Sequence, residues 1–395
     1  MKVVYAKQPF PEEWTSAIFL AGPTPRDPNT PSWRPEALRL LDEMGYEGVV
    51  MVPEDAEGEW GSGHDAYMNQ IDWERKGLDL ADVIVFWVPR EMERMPALTT
   101  NVEFGRYVTS DKIVFGAPEW AKSVRYLETM LKTETGGERH LEMRDTLRAA
   151  LERITSFSPS APRVGGERAV PLHIWTLPSF QNWYKAQTAA GNRLDDAKLL
   201  WHFRIPKAKV VFSFVLWVKV WISKENRHKE NEFIFTRTDI STVVLYAWPE
   251  NSLDEINDAE IILVREFRSP ARTPDGFIHE LAGGSSVKPG KDPLQVASDE
   301  VHEETGLIIS ADRFKALGSR QVAGTLSTHH AHLFAAELTR AEMAQAKLLA
   351  ENNQVNGVEE DSERTYVEVT TVAEMLASAD TDWSVVGMVM KALMS

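Results

Sequence analysis

Apolar and polar stretches alternate along the first 120 residues in a pattern that predicts an α/β domain. Short apolar runs, which predict buried strands, occupy residues 17–20, 48–52, 83–87 and 113–115. The segments with helical spacing are residues 35–44, 67–80 and 101–109. Strands that alternate with helices form a parallel sheet covered by helices on both faces. Ligands bind at the carboxyl ends of such strands, so candidate site segments are residues 22–26, 53–54 and 89–90.

The second half of the chain is predicted to be rich in strands. Turn residues lie near positions 226, 249–251 and 269–270, and one helix is predicted after Pro293, which together indicate an α+β domain. Residues 210–222 form the most apolar run. This run is too short and, with Lys219, too charged to span a bilayer, so we predict a strand there.

A Ser-, Pro- and Gly-rich stretch at residues 156–166 marks a boundary between the two halves. A chain of 395 residues is long enough for two or three domains. We predict a first domain over residues 1–155, a linker or bracing segment over 156–205, and a second domain over 206–395. Within the bracing segment, residues 195–202 are a possible helix.

Composition and charge narrow the partners and the compartment. The chain carries 43 Lys and Arg against 59 Asp and Glu, and its net charge of −16 disfavours binding to nucleic acid. Without cysteine, disulfides, thiolate metal sites and a cysteine nucleophile are excluded, and a reducing compartment fits. The first residues lack the basic and apolar regions of a secretory signal. We expect a cytoplasmic protein that binds a small molecule and has no nucleic-acid or membrane partner.

The sharpest local pattern is a group of glutamates in the helix predicted to begin near Pro293. Glu300, Glu303 and Glu304 have i, i+3, i+4 spacing and share one helix face, where like charges repel one another. Such a group is either a solvated acidic surface or a carboxylate site for Mg²⁺, with Mn²⁺ as an alternative ion. Both ions prefer hard oxygen ligands.

These glutamates resemble the second half of the Nudix box: a Gly, five residues, a Glu, seven residues, then Arg-Glu-apolar-x-Glu-Glu-x-Gly-apolar. The matching residues are Glu300, Val301, Glu303, Glu304, Gly306 and Leu307. The departures are Ser285 at the box's Gly, Lys291 at its first Glu and Asp299 at its Arg, so that Asp299 adds a fourth acid. The resemblance implies that Glu300, Glu303 and Glu304 bind the metal. It also gives Glu303 and Glu304 a catalytic role.

Flanking segments, residues 264–270 and 277–284, are similar to the Nudix branch that hydrolyses ADP-ribose and other nucleoside diphosphate sugars. The likeness covers about residues 206–395. It implies that Arg268 contacts the diphosphate or its terminal sugar and that Glu280 joins the metal site; the alternative for Arg268 is a surface strand residue. The acidic segment 358–363 resembles the loop that supplies a general base, for which we choose Glu360.

A second resemblance, over about residues 15–130, is to the nucleoside 2-deoxyribosyltransferase-like group. The segments that carry it are residues 18–26, 32–34, 70–74, 81–90 and 99–105. It implies that Glu103 attacks or stabilises the anomeric carbon of a ribose as the base departs. We expect Glu103 at a loop-to-helix junction, where the helix N-terminus favours its ionised form. The group's base-side acid falls on Ala97, so base protonation is lost or supplied by another residue.

The same resemblance implies a set of substrate contacts. The residues are Gly22, Pro23, Arg26, Glu74, Asp82 and Arg90, with Asp72 as the alternative to Glu74 and Arg34 as a further candidate for phosphate. Gly22 and Pro23 would shape the floor of a nucleoside pocket, and Glu74 would hold the sugar or the base. The arginines lie at or near strand ends, where guanidinium groups suit a phosphate. The alternative is a domain that binds a nucleotide without cleaving it.

Together the two halves predict a two-domain nucleotide-processing enzyme. One domain would carry out Mg²⁺-dependent Nudix hydrolysis of a nucleoside diphosphate derivative such as ADP-ribose or NAD, and the other would be an N-glycosidase or deoxyribosyltransferase-like domain. One alternative is a sensor that binds an ADP-ribose-like nucleotide without hydrolysis. Another is an active Nudix domain beside an inert binding or oligomerisation module. Proteins that resemble both halves are commonly oligomers, so we expect a homo-oligomer.

Overall fold

The structure is a computed structural model that describes residues 1–26, 29–55, 64–158, 161–205, 210–250, 252–286, 290–357 and 363–395. The chain forms two compact units. Unit 1 comprises Met1–Leu200 and Leu216–Glu232, and unit 2 comprises Trp201–Val215 and Phe233–Ser395. Unit 1 thus continues past residue 155, through most of the segment predicted as a linker. No helix in these described ranges is long and apolar enough to cross a membrane.

Unit 1 contains the strands and helices predicted for the first half, with additions. Its strands are β1 (Lys2–Tyr5), β2 (Glu13–Trp14), β3 (Ala17–Ala21), β4 (Val49–Val52), β5 (Val83–Trp87), β6 (Ile113–Gly116) and β7 (Arg163–Val164). Its helices are α1 (Arg34–Glu43), α2 (His64–Leu80), α3 (Leu98–Tyr107), α4 (Arg125–Thr135), α5 (Met143–Ser156), α6 (Leu172–Trp175) and α7 (Pro178–Ala189), with a 3₁₀ turn at Gly165–Ala169. The additions include strands β1, β2 and β7 and helices α4, α6 and α7.

The main sheet of unit 1 has the order β1-β4-β3-β5-β6, and all four strand pairs are parallel. Every residue of β3, β4 and β5 is buried, because helices cover both faces of the sheet. Strands buried on both faces have continuous apolar runs of Val, Ile and Phe, which is why the sequence pattern located them. The predicted parallel sheet flanked by helices is confirmed.

Three long strands form a separate sheet with the order β10-β9-β8. They are β8 (Arg193–Ile205), β9 (Val210–Ile222) and β10 (Arg227–Arg237). The strand predicted at residues 210–222 is confirmed. The prediction of a helix at residues 195–202 is wrong, because these residues lie in β8. Pairing with β9 in the sheet outweighs the helix propensity of the Ala-Lys-Leu-Leu segment.

Unit 2 is built around a mixed sheet. Its further strands are β11 (Ile240–Ala247), β12 (Glu260–Phe267), β13 (Phe277–Glu280), β14 (Gly283–Gly284), β15 (Lys315–Gln321), β16 (His330–Glu337), β17 (Val355–Asn356) and β18 (Thr365–Thr371). Its helices are α8 (Pro293–Thr305), α9 (Arg340–Glu351), α10 (Val372–Ala377) and α11 (Trp383–Leu393), with a 3₁₀ turn at Ala311–Arg313.

The sheet of unit 2 lies between two helical layers. Its order is β15-β16-β11-β12-β18-β17, with β13 paired to β12 and β14 paired to β11. The pair β11–β16 is parallel, and the other pairs are antiparallel. Helices α8 and α9 pack their apolar side chains on one face, and α10 and α11 pack on the other.

Helix α8 begins and ends where its sequence predicts. The Asp292 side chain caps the helix by accepting from the Leu294 amide at 3.2 Å, and Pro293 occupies the first turn. Gly306 ends the helix with a φ of +72°, in the left-handed region that favours glycine. The helix predicted after Pro293 is therefore confirmed, and the acidic residues after position 298 lie in its second half.

Candidate functional site

A cavity of about 380 Å³ opens at the carboxyl ends of β3 and β4 in unit 1. Helix α2 and the first turns of α3 close its sides. Its lining includes Ala21, Gly22, Pro23, Thr24, Arg26, Arg34, Pro53, Tyr67, Gln70, Ile71, Glu74, Pro96, Ala97, Leu98, Thr99 and Glu103. Six residues predicted to act on or bind substrate are brought together here: Gly22, Pro23, Arg26, Arg34, Glu74 and Glu103.

Two carboxyl groups, Glu74 and Glu103, line this cavity. Burial and the nearby Glu74 raise the pKa of Glu103 to about 7, which the Arg34 guanidinium only partly offsets. Burial also raises the pKa of Glu74, whose carboxylate accepts a hydrogen bond from Gln70 Nε2 at 2.9 Å. Each raised pKa favours the protonated form of its carboxyl group, and the charge of Glu74 acts on Glu103 because the two groups are neighbours in a partly buried site.

The position of Glu103 corrects one sequence prediction. Helix α3 begins at Leu98, so Glu103 lies in its second turn rather than at its N-terminus. Its pKa is raised, whereas the predicted effect of a helix N-terminus was to favour the ionised form. Ala97 occupies the position at which the resembled group has its base-side acid. It lines the cavity with a φ of +55° immediately before α3.

Gly22 and Arg34 shape the floor of the cavity. Gly22 has a φ of +149°, and a Cβ there would lie 2.1 Å from the carbonyl oxygen of Trp87. Only glycine fits so close to the neighbouring strand. Arg34 is buried and donates hydrogen bonds to the carbonyl oxygens of Leu20 and Gly22, at 3.1 and 2.8 Å.

Arg34 also forms an ion pair with Glu54, with 2.5 Å between Nη1 and Oε1. Its donors thus hold the loop after β3, and this corrects the prediction that Arg34 is available to hold a phosphate. Arg26, in contrast, lines the cavity with an exposed side chain. Arg34 lines the cavity as well, but its donors bind protein groups, and Arg90 is not among the lining residues.

Two predicted substrate contacts are structural instead. The Asp82 side chain is buried and forms an ion pair with Arg163, with 2.5 Å between Oδ2 and Nη2, and it accepts from the Ala17 amide at 2.9 Å. Arg90 is also buried and donates to the Ser123 carbonyl oxygen at 2.6 Å and to Asn101. The charged groups of both side chains bind other protein groups inside the domain. Their prediction as substrate-binding residues is therefore corrected.

The cavity lies at the carboxyl ends of parallel strands, which is the usual place for a small-molecule site in α/β domains. Residues 15–120 match the family described as nucleoside 2-deoxyribosyltransferase like. This match supports the resemblance of the N-terminal domain to that family, and the matched residues include both carboxyl groups of the cavity. A search of curated proteins found no match to the chain.

Unit 2 gathers acidic side chains where β14 meets α8. Glu304 is buried, and one of its carboxylate oxygens accepts from the Gly283 amide at 2.9 Å. Burial and the neighbouring glutamates raise the pKa of Glu304 well above its usual range. Burial and Glu303 raise the pKa of Glu300 to about 7. A Cβ at Gly284 would lie 2.4 Å from Glu300 Oε1, so a larger residue there would displace this carboxylate.

Two acids that sequence reasoning missed belong to the same cluster. Glu266 on β12 is buried, and its pKa is raised to about 7 by burial and, despite Arg268, by Glu363 and Glu280. Glu363 also raises the pKa of Glu300 and Glu304. Glu363 belongs to the acidic segment 358–363, from which we chose Glu360 as the general base. Glu360 itself lies outside the described residues. Glu266 is part of the Arg-Glu-Phe-Arg segment, in which only Arg268 was predicted to contact substrate.

Arg268 lies between two acids of this cluster, which we call the glutamate cluster: Glu266, Glu280, Glu300, Glu304 and Glu363. Its Nε is 2.8 Å from Glu280, and its Nη2 is 2.8 Å from Glu266. A second arginine, Arg237, was not predicted. It donates to Ser285 Oγ at 3.0 Å and lies near Arg268 and Glu280, whose charges act on its pKa. Nothing in the local sequence distinguishes Arg237.

The other predicted acids of α8 have different surroundings. Glu303 has an exposed side chain, and its carbonyl oxygen accepts from the Gly357 amide at 2.9 Å. Asp299 does not add an uncompensated fourth acid, because it forms an ion pair with Lys291, with 2.6 Å between Oδ2 and Nζ. The predicted metal and catalytic residues Glu280, Glu300 and Glu304 therefore cluster, whereas Glu303 lies at the exposed margin.

Proposed function

We propose that unit 1 cleaves the N-glycosidic bond of a nucleoside or nucleotide, by hydrolysis or by transfer of the sugar. The observation that carries this proposal is the pair of carboxyl groups, Glu74 and Glu103, in one cavity of a domain that matches the deoxyribosyltransferase-like family. The exposed Arg26 on the same cavity gives a phosphate-bearing substrate a cation to bind.

In the proposed reaction, a carboxylate oxygen of Glu103 bonds to the anomeric carbon as the carbon–nitrogen bond to the base breaks. The bonding electron pair leaves on the base nitrogen, which takes a proton from water. Water, or a second base, then attacks the anomeric carbon and releases Glu103 as a carboxylate. Glu74 would hold the sugar or the base beside Glu103, as the resemblance implies.

The test is to incubate the full chain with deoxynucleosides, nucleoside monophosphates and NAD and to identify products by mass spectrometry. We expect free base from one of these classes, and its loss in Glu103→Gln. Glu134→Gln removes an exposed acid of α4 and is the matched control, which should leave base release unchanged. Intact substrates with the wild-type chain would contradict glycosidic cleavage and leave a binding domain.

We further propose that unit 2 is a Nudix-type hydrolase of a nucleoside diphosphate derivative such as ADP-ribose. This second proposal is supported by the convergence of α8 glutamates, the glycines of β14 and Glu280 on β13 at one place. The flanking likeness to the ADP-ribose-hydrolysing branch supplies the substrate class. Glu363 replaces Glu360 as the acid of the 358–363 segment that we now favour as general base.

The glutamate cluster fits Mg²⁺ by the chemistry of its donors. Its ligands are hard carboxylate oxygens, and a divalent cation would relieve the repulsion that, together with burial, raises the pKa values of Glu300 and Glu304. Mg²⁺ usually keeps several waters and needs only one or two carboxylates with a substrate phosphate. Glu300, Glu304 and Glu280 would hold the ion, which when bound neutralises a diphosphate and acidifies water. Glu363 would accept the proton of the attacking water.

The experiment for unit 2 is incubation with ADP-ribose in Mg²⁺ or in chelator. Paired monophosphates formed only with Mg²⁺, and lost in Glu304→Gln, would support hydrolysis. Binding of intact ADP-ribose in chelator, without turnover in Mg²⁺, would instead favour the sensor. If Glu103→Gln leaves the products of both reactions unchanged, unit 1 is an inert module beside an active hydrolase.

A further inference from the structure

A second cavity in unit 2, of about 240 Å³, shares no lining residue with the glutamate cluster. It lies between the edge strand β15, strand β16 and helix α11. Apolar side chains of Leu317, Leu333 and Met388, buried or half-buried, form part of its wall. Concave apolar sites with a few polar groups are the usual form of small-molecule sites.

Trp383, in the first turn of α11, lines this cavity with an exposed side chain. Its relative exposure is 88%, which is high for a tryptophan because large aromatic side chains are usually mostly buried. An indole presented in this way offers a flat face on which a second aromatic ring can stack. The cavity wall next to it is apolar, so a ring bound there would also be shielded from water.

Two cationic side chains, Arg320 on β15 and Lys391 on α11, line the same cavity. Among the residues that the structure describes, neither side chain has an acidic partner. Acids outnumber basic residues by 59 to 43 in this chain, and many of its described Lys and Arg side chains are in ion pairs. Two unpaired cations beside one apolar cavity therefore favour an anionic ligand.

Two glycines line the cavity. Gly318 on β15 and Gly387 on α11 both line it, and a Cβ added at either would meet no atom within 4 Å. Gly387 lies in the interior of a helix, where glycine is destabilising relative to alanine. No close packing explains this glycine, whereas a larger side chain there would extend into the space that a ligand needs.

We propose that this cavity binds a small planar aromatic anion. Its ring would lie against Trp383, and its carboxylate or phosphate would be held by Arg320 and Lys391. The volume of about 240 Å³ limits the ligand to a ring system with one anionic group, since sites for larger ligands exceed about 300 Å³.

The test is calorimetric titration of the full chain with 1-naphthoate, with neutral 1-naphthalenemethanol and inorganic phosphate as matched probes. We expect 1-naphthoate to bind at least about tenfold more tightly than either of the other two probes, because only it satisfies both the ring and the cations. Equal binding of all three probes, or no binding of 1-naphthoate, would overturn the proposal.

Variants of the residues that line this cavity test whether 1-naphthoate binds there. Gly387→Leu, which adds a helix-favouring side chain inside the cavity, should abolish 1-naphthoate binding while the chain stays folded. Gly387→Ala is the matched control, and it should retain the affinity and raise the melting temperature. Trp383→Ala and the double variant Arg320→Gln/Lys391→Gln should each weaken binding by about tenfold or more. Unchanged affinity in Gly387→Leu would place the ligand elsewhere and refute the site.

Discussion

The Nζ atom of Lys291 lies 2.6 Å from Oδ2 of Asp299, and Gln295 Nε2 donates to the other carboxylate oxygen at 2.8 Å. Lys291 precedes α8 and Asp299 lies within it, so the pair fastens the start of the helix to its middle. In the box that this segment resembles, the two positions hold a Glu and an Arg. The two departures are therefore one ion pair with its charges exchanged.

This exchange predicts that the two departures compensate each other. Asp299→Arg alone would place two cations together, and Lys291→Glu alone would place two acids together beside the glutamate cluster. We expect each single variant to lower Mg²⁺-dependent hydrolysis of ADP-ribose. The double variant Lys291→Glu/Asp299→Arg should recover most of it, since opposite charges again face each other.

The stability effect should be small, because the pair is about one-third exposed and such pairs contribute at most about 1 kcal/mol. Hydrolysis rates and urea unfolding of all four chains separate the two effects. A double variant that is no better than the worse single variant would show that the ion pair is not what these residues provide.

The raised pKa of Glu103 predicts the acid limb of the pH profile for base release. The carboxylate is the reactive form, so activity should increase as pH rises through about 7, the pKa of Glu103. Measurement of kcat/KM from pH 5 to 9 checks this, because that ratio reports ionisations of the free enzyme. An acid limb near the ordinary glutamate pKa of about 4.3 would mean that another group limits the reaction.

Glu74→Gln should move this limb in a defined direction. The Glu74 charge raises the pKa of Glu103, so its removal should shift the limb to lower pH. Maximal activity should also fall by about tenfold or more, because the variant loses a charged group that binds the substrate. A rate loss without a shift of the limb would identify Glu74 as a positioning residue that is not electrostatically coupled to Glu103.

The glutamate cluster predicts that unit 2 is more stable in mild acid than at pH 8. Glu266 and Glu300 have pKa values of about 7, and that of Glu304 is raised further. A carboxyl group whose folded pKa exceeds its unfolded value stabilises the fold below the unfolded pKa. That stabilisation is lost as pH rises through about 7, so the melting temperature should fall between pH 5.5 and 8.

Mg²⁺ should reverse this loss. A cation that binds only the folded state raises the melting temperature, and more at pH 8 than at pH 5.5, where protons occupy the carboxylates. Glu304→Gln should be more stable than wild type at pH 8 without Mg²⁺ and should not respond to Mg²⁺. Glu351→Gln, an exposed acid on α9, is the control and should respond as wild type does. Equal Mg²⁺ responses in all three chains would exclude the cluster as the metal site.

The Asp82–Arg163 pair predicts a large stability effect without a direct effect on substrate binding. Both side chains are 1% exposed, so Asp82→Asn would leave a buried cation without its counter-charge. Breaking such a pair costs about 3–5 kcal/mol. Urea unfolding should show this loss, while the KM for base release, measured at a temperature where the variant is folded, should stay within about twofold. A higher KM with normal stability would restore Asp82 as a substrate contact.

The sequence alone was sufficient to locate the parallel sheet and the acidic helix. Strands such as β5 are buried on both faces and are therefore continuous apolar runs. Helix α8 carries its own cap, its first-turn proline and its terminal glycine, which are local signals. The segment that became β8 has no such signal, and only its pairing with β9 made it a strand.

The site residues also fall into two groups, those that local sequence indicates and those that tertiary structure decides. The order of motifs brought out Gly22, Glu74 and Glu103, since their places relative to strand ends are set locally. Tertiary structure alone decided that Asp82 pairs with Arg163, 81 residues away. It also decided that Arg34 donates its hydrogen bonds to backbone carbonyl oxygens of the neighbouring loop. It also decided that burial and Glu74 bring the pKa of Glu103 to about 7. Charge and desolvation depend on neighbours that are distant in sequence, so no local pattern specifies them.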